Sequence, residues 1–477
     1  MKIRKLLENV VVLQSLNYKD IDVGGVEIDE RKPLEGKLFI CLKGKNVDSH
    51  DLAAKAVEKG AVAVVSEREL PLSIPVFIVK SSRRALALIA ANFYGNPAEK
   101  LNIVTVVGTN GKTSTTEILS EIFSYAGISC ATIGTLGYKV GKDRLSGELT
   151  TPDPMELHRH LAEMWQAGVK CVFMEASAHA IFYDKLAGIK AKASVLTNIT
   201  QDHLDFFADM EEYASVKLSY FTHENTALAV VNSDDKYALR VLREPSVPVI
   251  TYGLENPADV FAIDLVESEA GLAFTINAFD CIETILCPLH GTFNVYNIMA
   301  ATSVAMYMGI SLSVIKNALS QIEKIPGRYN VEYVKGIKTV LDYAHTPDGL
   351  ENLLKDVRKS TKGKVITVFG CGGNRDRSKR PLMGKIASEY SDYVIITEDN
   401  PRFEKVSDIT EEIKQGVLAD CLCECIEDRA AAIKRAFELA SEGDTVVLAG
   451  KGHETYIEKN GVKIPYSDSL VLQKSKE

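Results

Sequence analysis

The sequence predicts an α/β protein of three domains, with a central, mostly parallel sheet of the P-loop type that has helices on both faces. Short apolar segments typical of buried strands alternate with segments of helical periodicity along most of the chain. This order favours parallel sheets with helices packed on each side. The chain has 477 residues, and at roughly 100–200 residues per domain it is too long for one core.

Composition and charge exclude several classes of protein. With 46% hydrophobic and 25% charged residues, the chain is neither disordered nor fibrous. A net charge of −9 argues against a nucleic-acid binder. No apolar run reaches the ~18–20 residues that cross a bilayer, and the basic start has no signal-peptide cleavage site. We therefore expect a cytoplasmic protein without membrane insertion.

The nine cysteines are expected to be reduced thiols without a metal or redox role. Cys421, Cys423 and Cys425 alternate, as side chains on one face of a strand do. No CxxC pair occurs, and no histidine follows at zinc-finger spacing. Packing in the core is the expected role of these three residues.

The first domain is predicted over residues 1–97 and is expected to be a small α/β unit. Asn96 precedes Pro97, and a residue before proline is pushed out of the helical region, so the last helix must end there. Strands are predicted at 36–44, 61–67 and 74–80, and helices at 51–61 and 82–95.

The second domain is predicted over 98–325 and the third, a Rossmann-like α/β domain, over 326–477, with Pro326-Gly327 at the boundary. Segment 268–291 has the pattern of antiparallel hairpins. Four apolar segments of the third domain each run into a polar tip, which predicts a ligand cleft at the carboxyl ends of the strands. The other predicted strands are 101–107, 169–177, 192–200 and 226–235 in the second domain, and 338–345, 362–371, 391–400 and 444–453 in the third.

The turn at 108–114 predicts a site for the phosphates of ATP. It follows a strand and begins a helix, so its backbone N–H groups and the helix N-terminus can face an anion. The Lys112 ammonium adds a cation, and the Thr113 hydroxyl can bind Mg²⁺. The predicted ATP-binding residues are Gly108, Thr109, Asn110, Gly111, Lys112, Thr113 and Ser114.

Ten further segments, in order along the chain, resemble motifs of the Mur ligases, the ATP-dependent amino-acid-adding enzymes of peptidoglycan synthesis. The resemblance covers nearly the whole chain. It implies that a substrate carboxylate attacks ATP to give an acyl phosphate, from which an incoming amine displaces phosphate. It also implies that the partners are small-molecule substrates, and we expect a monomer. The segments are 150–153, 175–179, 197–205, 217, 291–297, 326–328, 342–347, 371–381, 399–402 and 449–454.

The chain is most similar to the family members that add diaminopimelate. This resemblance implies that it joins meso-diaminopimelate to UDP-N-acetylmuramoyl-L-alanyl-D-glutamate. It assigns catalytic roles to Lys112, Glu175, His203 and Lys217, and Mg²⁺ to Thr113, Glu175, His203 and Lys217. The Lys217 amine is expected to be carbamylated by CO₂, which changes its charge from +1 to −1 and gives the metal a carboxylate ligand.

The resemblance also implies three sets of binding residues. The Arg402 guanidinium is expected to bind the second carboxylate of diaminopimelate, which lysine lacks. The nucleotide set is Asn294, Asn297, Arg328, Asp342 and His345; the UDP-substrate set is Glu30, Thr150, Thr151, Ser177, Tyr183 and Lys185; and the amino-acid set is Arg375, Asp399, Asn400, Pro401, Arg402, Gly450 and Glu454.

Three positions of the UDP-substrate set depart from the family pattern and leave alternatives open. Glu30 stands where serine is usual, and Tyr183 and Lys185 stand where glutamine and arginine are frequent. One alternative is a Mur-type ligase that adds L-lysine or uses a related acceptor. A second is a ligase similar to folylpolyglutamate synthetases, although these are not expected to carry the 399–402 motif. A P-loop kinase or GTPase, and a non-catalytic nucleotide-binding protein, are less favoured.

Overall fold

The computed structural model of the chain describes residues 1–44, 47–141, 143–147 and 149–476. Short 3₁₀ helices span Ser49–Leu52 and Pro97–Lys100. The α-helices are α1 (Ile3–Leu6), α2 (Ala53–Glu58), α3 (Ser82–Phe93), α4 (Lys112–Tyr125), α5 (Pro154–Gln166), α6 (Ala178–Phe182), α7 (Met210–Leu218), α8 (Leu239–Arg243), α9 (Phe293–Tyr307), α10 (Leu312–Leu319), α11 (Pro347–Ser360), α12 (Lys379–Tyr390), α13 (Val406–Lys414), α14 (Arg429–Leu439) and α15 (Asp468–Lys476).

The strands of the described residues overlap every segment predicted to be a strand, and they include others that the sequence did not predict. They are β1 (Val12–Leu16), β2 (Gly25–Glu27), β3 (Lys37–Ile40), β4 (Ala63–Ser66), β5 (Val76–Val79), β6 (Asn102–Val107), β7 (Cys130–Gly134), β8 (Gly137–Val140), β9 (Asp143–Leu145), β10 (Cys171–Ala176), β11 (Ala193–Leu196), β12 (Ala229–Asn232), β13 (Val249–Gly253), β14 (Val260–Ser268), β15 (Gly271–Ala278), β16 (Cys281–Cys287), β17 (Asn330–Val334), β18 (Ile337–Asp342), β19 (Val365–Phe369), β20 (Tyr393–Ile396), β21 (Leu422–Cys425), β22 (Thr445–Ala449), β23 (Tyr456–Lys459) and β24 (Val462–Pro465).

The chain forms two compact units. The first contains Met1–Thr105, Ile128–Ser194 and Tyr220–Leu228, and the second contains Val106–Gly127, Val195–Ser219 and the chain from Ala229 onward. The division into domains at residues 97 and 325 remains a prediction. None of the helices in the described part of the chain combines the length and apolarity needed to cross a bilayer.

Within the described residues the main sheets have five, eleven and six strands, which confirms the predicted α/β class. The five-stranded sheet has the order β1-β5-β4-β3-β2, and its pairs are parallel except β1 with β5. In the eleven-stranded sheet β10 pairs with β7 and β12 with β13 in parallel. Strands β14, β15 and β16 form antiparallel hairpins. Strands β15 and β16 lie in segment 268–291, where such hairpins are predicted, whereas β14 ends where this segment begins and was not predicted.

The six-stranded sheet, with the order β17-β18-β22-β19-β20-β21, places the predicted cleft residues at one edge. Its strands β18, β22, β19, β20 and β21 run parallel, so their carboxyl ends meet at the same edge. Alternate residues of each strand enter two separate apolar cores, which lie on the two faces of the sheet. Cys421 precedes the edge strand β21 and Cys423 lies on it. Both side chains pack against one of these cores.

Candidate active site

The predicted phosphate loop lies between β6 and α4, and its glycines are required by close approaches. A Cβ at Gly108 would lie 1.8 Å from Thr197 Oγ1, and a Cβ at Gly111 would lie 2.4 Å from Asn297 Oδ1. Gly111 also has a φ of 84°, in the left-handed region that favours glycine. It immediately precedes α4, so the first N–H groups of this helix follow the turn directly.

A neighbouring segment, 197–200, fixes the shape of this loop through its polar groups. The backbone N–H of Thr109 donates to the carbonyl of Asn198 at 2.8 Å, and that of Asn110 donates to Asn198 Oδ1 at 2.9 Å. The Thr197 hydroxyl donates to the Asn110 carbonyl at 2.6 Å. These bonds form within the second unit and fix the backbone of the loop in one conformation.

Two lysines point at the carbonyl oxygen of Gly108. Lys112 Nζ donates to it at 3.0 Å, and also to the Thr109 carbonyl at 2.8 Å. Lys217 Nζ, on α7, donates to the same Gly108 oxygen at 2.7 Å. The Lys217 side chain is only 1% exposed and its ammonium lies 4.7 Å from the centroid of the Tyr213 ring. Burial lowers the pKa of Lys217 well below its usual range, and the charge of Lys112 lowers it further.

The predicted nucleotide residues of the second unit surround this loop. Asn297 Nδ2 donates to Asn294 Oδ1 at 2.9 Å on α9, and both side chains are buried. Arg328 Nη2 donates to the Thr113 hydroxyl at 3.0 Å. Asp342, at the end of β18, accepts from the backbone N–H groups of Tyr329 and Ala344. Burial raises the pKa of its carboxyl above the ordinary value.

A buried acidic residue that the sequence did not predict, Asp202, lies beside His203 and His345. Its Oδ2 is 3.4 Å from His203 Nε2 and 3.8 Å from His345 Nε2. Lys379 Nζ lies 3.6 Å from Asp202 Oδ1 and donates to the His345 carbonyl at 2.8 Å. Burial acts to raise the pKa of Asp202, but the charge of Lys379 and the two histidines hold it well below its usual range.

Asp348 and Gln201 extend this network and were also missed. Asn110 Nδ2 of the phosphate loop donates to Asp348 Oδ2 at 2.8 Å. Gln201 Nε2 donates to Asp376 Oδ2 at 3.1 Å, next to Arg375, which is exposed. Segment 197–203 therefore contacts both the phosphate loop and segment 371–381. Asp202, Asp348 and Lys379 follow or lie within the family-like segments, so inspection of each whole segment for buried charges would have found them.

The predicted amino-acid residues of the third domain form one polar cluster at the ends of β20 and β22. Asn400 Nδ2 donates to Glu454 Oε2 at 2.9 Å. Lys451, which is fully buried and was not predicted, donates to Asn400 Oδ1 at 3.0 Å and to Glu454 Oε2 at 2.6 Å. Its Nζ lies 3.6 Å from Asp399 Oδ1. A Cβ at Gly450, where φ is 102°, would lie 2.9 Å from Asp399 Oδ2, so a side chain there would be strained.

Arg402 belongs to the same edge of the sheet and is held from two sides. Its Nη1 donates to the Gly373 carbonyl at 2.7 Å, and its Nε lies 3.3 Å from Glu458 Oε2. Its backbone has a φ of 52°, and its N–H donates to the Glu458 carbonyl at 2.9 Å. A Cβ at Gly373 would lie 1.9 Å from the carbonyl oxygen of Pro401, which shows how tightly the two loops pack.

In the first unit, the predicted residues Thr150, Thr151, Glu175 and Ser177 lie together. Glu175 is 1% exposed and accepts from the backbone N–H and the hydroxyl of Thr135 at 2.8 and 3.0 Å. The Thr135 hydroxyl is 3.2 Å from that of Thr150. Thr151 donates to the Glu175 carbonyl at 2.8 Å and to the Ser177 hydroxyl at 3.3 Å. Ser177 in turn caps the N-terminus of α6.

The three residues that depart from the family pattern also lie in the first unit. Tyr183 follows α6, and Lys185 Nζ lies 2.7 Å from Asp153 Oδ1. Glu30 is half-buried and its carbonyl accepts from Lys59 Nζ at 2.7 Å. Within the described part of the chain, no hydrogen bond or ion pair connects the Glu30 side chain to the Thr150 cluster.

Three family models match the chain. They are described as Mur ligase family, catalytic domain (residues 22–94), Mur ligase middle domain (106–305) and Mur ligase, glutamate ligase domain (327–452). The chain is also 40% identical to the UDP-N-acetylmuramoyl-L-alanyl-D-glutamate–2,6-diaminopimelate ligase of Halalkalibacterium halodurans, over 99% of this chain and 98% of the relative. The chain belongs to the Mur ligase family.

Solved structures agree with this membership. A structure of a UDP-N-acetylmuramoyl-L-alanyl-D-glutamate–2,6-diaminopimelate ligase is 32% identical, with a TM-score of 0.72, and the match covers 100% of this Mur ligase and 98% of that chain. A Mycobacterium tuberculosis folylpolyglutamate synthase complexed with ADP and AMPPCP is 16% identical, with a TM-score of 0.66 over 77% of this chain and 92% of that one, which shows a shared fold alone. This Mur ligase is an ATP-dependent enzyme that forms a peptide bond.

The buried pair of Asp202 and Lys379 is expected to contribute to the stability of the second unit. Lys379→Met should lower the free energy of unfolding by ~3 kcal/mol, because the Asp202 carboxylate stays buried without this cation. Adding Asp202→Asn to that variant should restore part of the loss, because the uncompensated charge is gone. Urea unfolding of the two single variants and the double variant measures the coupling. Strictly additive losses would show that the two side chains do not interact.

Proposed function

We propose that this Mur ligase joins meso-diaminopimelate to UDP-N-acetylmuramoyl-L-alanyl-D-glutamate and converts ATP to ADP and phosphate. The placement of Arg402 carries the proposal. Its Nε lies 3.3 Å from Glu458 Oε2, and the Glu458 N–H donates to Asn400 Oδ1 at 2.9 Å, so a guanidinium stands next to a carboxylate at the edge of the sheet where ligands bind. The relatives at about 40% identity, which carry the name of this ligase, support the same choice. All the proposed contacts come from one chain, so a monomer suffices.

The first step brings anions together. The terminal carboxylate of the acceptor attacks the γ-phosphorus of ATP, the bond to the bridging oxygen breaks, and ADP leaves an acyl phosphate behind. Cations must offset this repulsion. Lys112 is already folded over the loop, and Arg328 donates to the Thr113 hydroxyl at the start of α4. Both side chains are therefore positioned to bind phosphate oxygens without a large rearrangement.

In the second step the amine of diaminopimelate attacks the acyl carbon, phosphate leaves, and the nitrogen loses a proton. This step needs the amino acid held in one orientation. Glu454 and Asn400 offer acceptor oxygens for an ammonium group, and Arg402 offers donors for a carboxylate. Since Glu458 and Gly373 already engage Nε and Nη1 of Arg402, we propose that the substrate carboxylate approaches through Nη2.

Mg²⁺ fits the chemistry of the residues that the family resemblance assigns to it. In the described part of the chain, no group of three or more His, Cys, Asp or Glu side chains could hold a metal alone. The proposed set therefore also includes the Thr113 hydroxyl and a carbamate on Lys217, with Glu175 and His203. Oxygen donors are what Mg²⁺ prefers. When bound, the ion would neutralise charge on the phosphates.

The surroundings of Lys217 support the proposed carbamylation of its amine. Lys112 and Lys217 both donate to the carbonyl oxygen of Gly108. Two ammonium groups this close together repel each other. Burial lowers the pKa of Lys217, which favours the unprotonated amine that reacts with CO₂. The amine nitrogen attacks the carbon of CO₂ and releases one proton, and the product carries a negative charge beside Lys112.

Lys217→Ala is expected to lose at least ~10²-fold in turnover, because an electrostatic group next to the reacting phosphate disappears. Acetate or formate should restore part of the activity by placing a carboxylate in the vacated space. To check this, phosphate release is measured without added acid and with each acid at 50 mM. Lys236→Ala, which removes an exposed lysine, is the control and should not respond. An active Lys217→Ala variant, or one that neither acid rescues, would contradict the carbamate.

The proposed function is tested by crossing UDP-muramoyl peptides with candidate amino acids and measuring phosphate release. We expect at least a ~30-fold preference for meso-diaminopimelate over L-lysine, because lysine lacks the carboxylate that Arg402 would bind. Arg402→Ala should abolish this preference. Arg377→Ala, in which an exposed arginine paired with Glu412 is removed, should keep it. Equal use of both amino acids by the unmutated protein would exclude the assignment.

A further inference from the structure

The guanidinium of Arg83 forms no ion pair with a carboxylate in the part of the chain that the structure describes. Arg83 lies in the first turn of α3, and its Cζ is 4.1 Å from the centroid of the Tyr183 ring. One Nη donates to the Lys43 carbonyl at 2.9 Å. No other hydrogen bond and no ion pair of Arg83 occurs among the described residues. Its direct contacts are thus a neutral ring and a neutral carbonyl, which orient the guanidinium and leave donors unused.

The adjacent arginine shows the contrast. Arg84 forms an ion pair with Glu224 in the same unit, so its charge is matched. Asp184 also lies near both arginines, and burial raises the pKa of its carboxyl in spite of their charges. No ion pair joins Asp184 to Arg83 in the described part of the chain.

The cation that the family resemblance assigns to the acceptor, Lys185, is already engaged. Its Nζ lies 2.7 Å from Asp153 Oδ1, and only 14% of its side chain is exposed. Tyr183, the neighbouring assigned position, has no charge. An acceptor with a pyrophosphate and two carboxylates needs cations in this region. Of the two assigned residues, Lys185 is a cation that is already paired, and Tyr183 is neutral.

The position of Arg83 relative to the Thr150 cluster suits a long acceptor. Ser177 caps one end of α6 and Tyr183 follows the other end. The five residues of α6 rise by about 7.5 Å. An extended substrate that contacts Thr151 and Ser177 at one end of this helix therefore has a second anchoring point within the same unit, at the ring on which Arg83 lies.

We propose that Arg83 is a binding residue for an anionic group of the UDP-linked acceptor, with Tyr183 as the platform that holds its guanidinium. This inference rests on the proposed function and adds a residue that the resemblance did not assign. The anion is either the pyrophosphate or a carboxylate of the peptide, since a guanidinium binds both with the same bidentate geometry.

Arg83→Met should raise the KM for UDP-N-acetylmuramoyl-L-alanyl-D-glutamate by ~10–100-fold, the loss typical of a charge-assisted hydrogen bond. The KM values for ATP and meso-diaminopimelate should change less than about twofold, which a general loss of folding would not produce. Arg84→Met is the matched control and should leave all three within about twofold. Arg83→Lys keeps the charge and should give an intermediate KM. Tyr183→Leu, which removes the aromatic ring, should also weaken acceptor binding.

Inhibition by UDP-N-acetylglucosamine separates the two anions. If Arg83→Met also weakens this inhibitor, which has the pyrophosphate and no peptide, the pyrophosphate is the ligand. If inhibition is unchanged while the acceptor KM rises, the ligand is a peptide carboxylate. An unchanged acceptor KM in Arg83→Met, or equal increases in Arg83→Met and Arg84→Met, would overturn the inference. An unmutated protein that releases no phosphate with meso-diaminopimelate would instead overturn the proposed function.

Discussion

Two lysine ammonium groups donate to one carbonyl oxygen, that of Gly108, and much of the site depends on this arrangement. Lys112 comes from the loop itself and Lys217 from α7, which lies far along the chain. Lys217 is buried and Lys112 is half-buried, and two like charges that share one acceptor oxygen repel each other. An anion bound at the loop, or a change in the charge of Lys217, relieves this repulsion. The phosphate and the carbamate that we propose would each do so.

The loop that brings these lysines together is held by tertiary contacts on several sides. Thr197 occupies the space that a side chain at Gly108 would need, and Asn198 bonds the backbone of the loop. The same segment continues to Asp202, which lies beside Lys379 from the third domain. Segment 197–203 therefore contacts both the loop and segment 371–381 within the second unit.

Local sequence patterns predicted the elements and the loop well, because these depend on residues close in the chain. The strand, turn and helix around Gly108–Lys112, the antiparallel pair β15-β16 and the parallel strands β18 and β22 of the six-stranded sheet are confirmed. The pairs that the sequence did not reveal join distant positions: Asn110 and Asp348 are 238 residues apart, and Lys451 meets Asn400 across 51. Such pairs depend on tertiary packing, which neither periodicity nor a motif specifies. The sequence did not predict a role for Arg83 for the same reason, since the Tyr183 ring that it contacts follows a different helix.

The carbamate on Lys217 is the claim on which the electrostatic account depends most. Carbon-13 nuclear magnetic resonance of the protein equilibrated with ¹³C-labelled bicarbonate tests it directly. We expect one slowly exchanging carbamate resonance in the unmutated protein. It should be retained in Lys236→Arg, where an exposed lysine changes, and absent in Lys217→Arg, whose guanidinium does not react with CO₂. A fully active protein without this resonance would contradict the account and would mean that Lys217 acts as an ammonium.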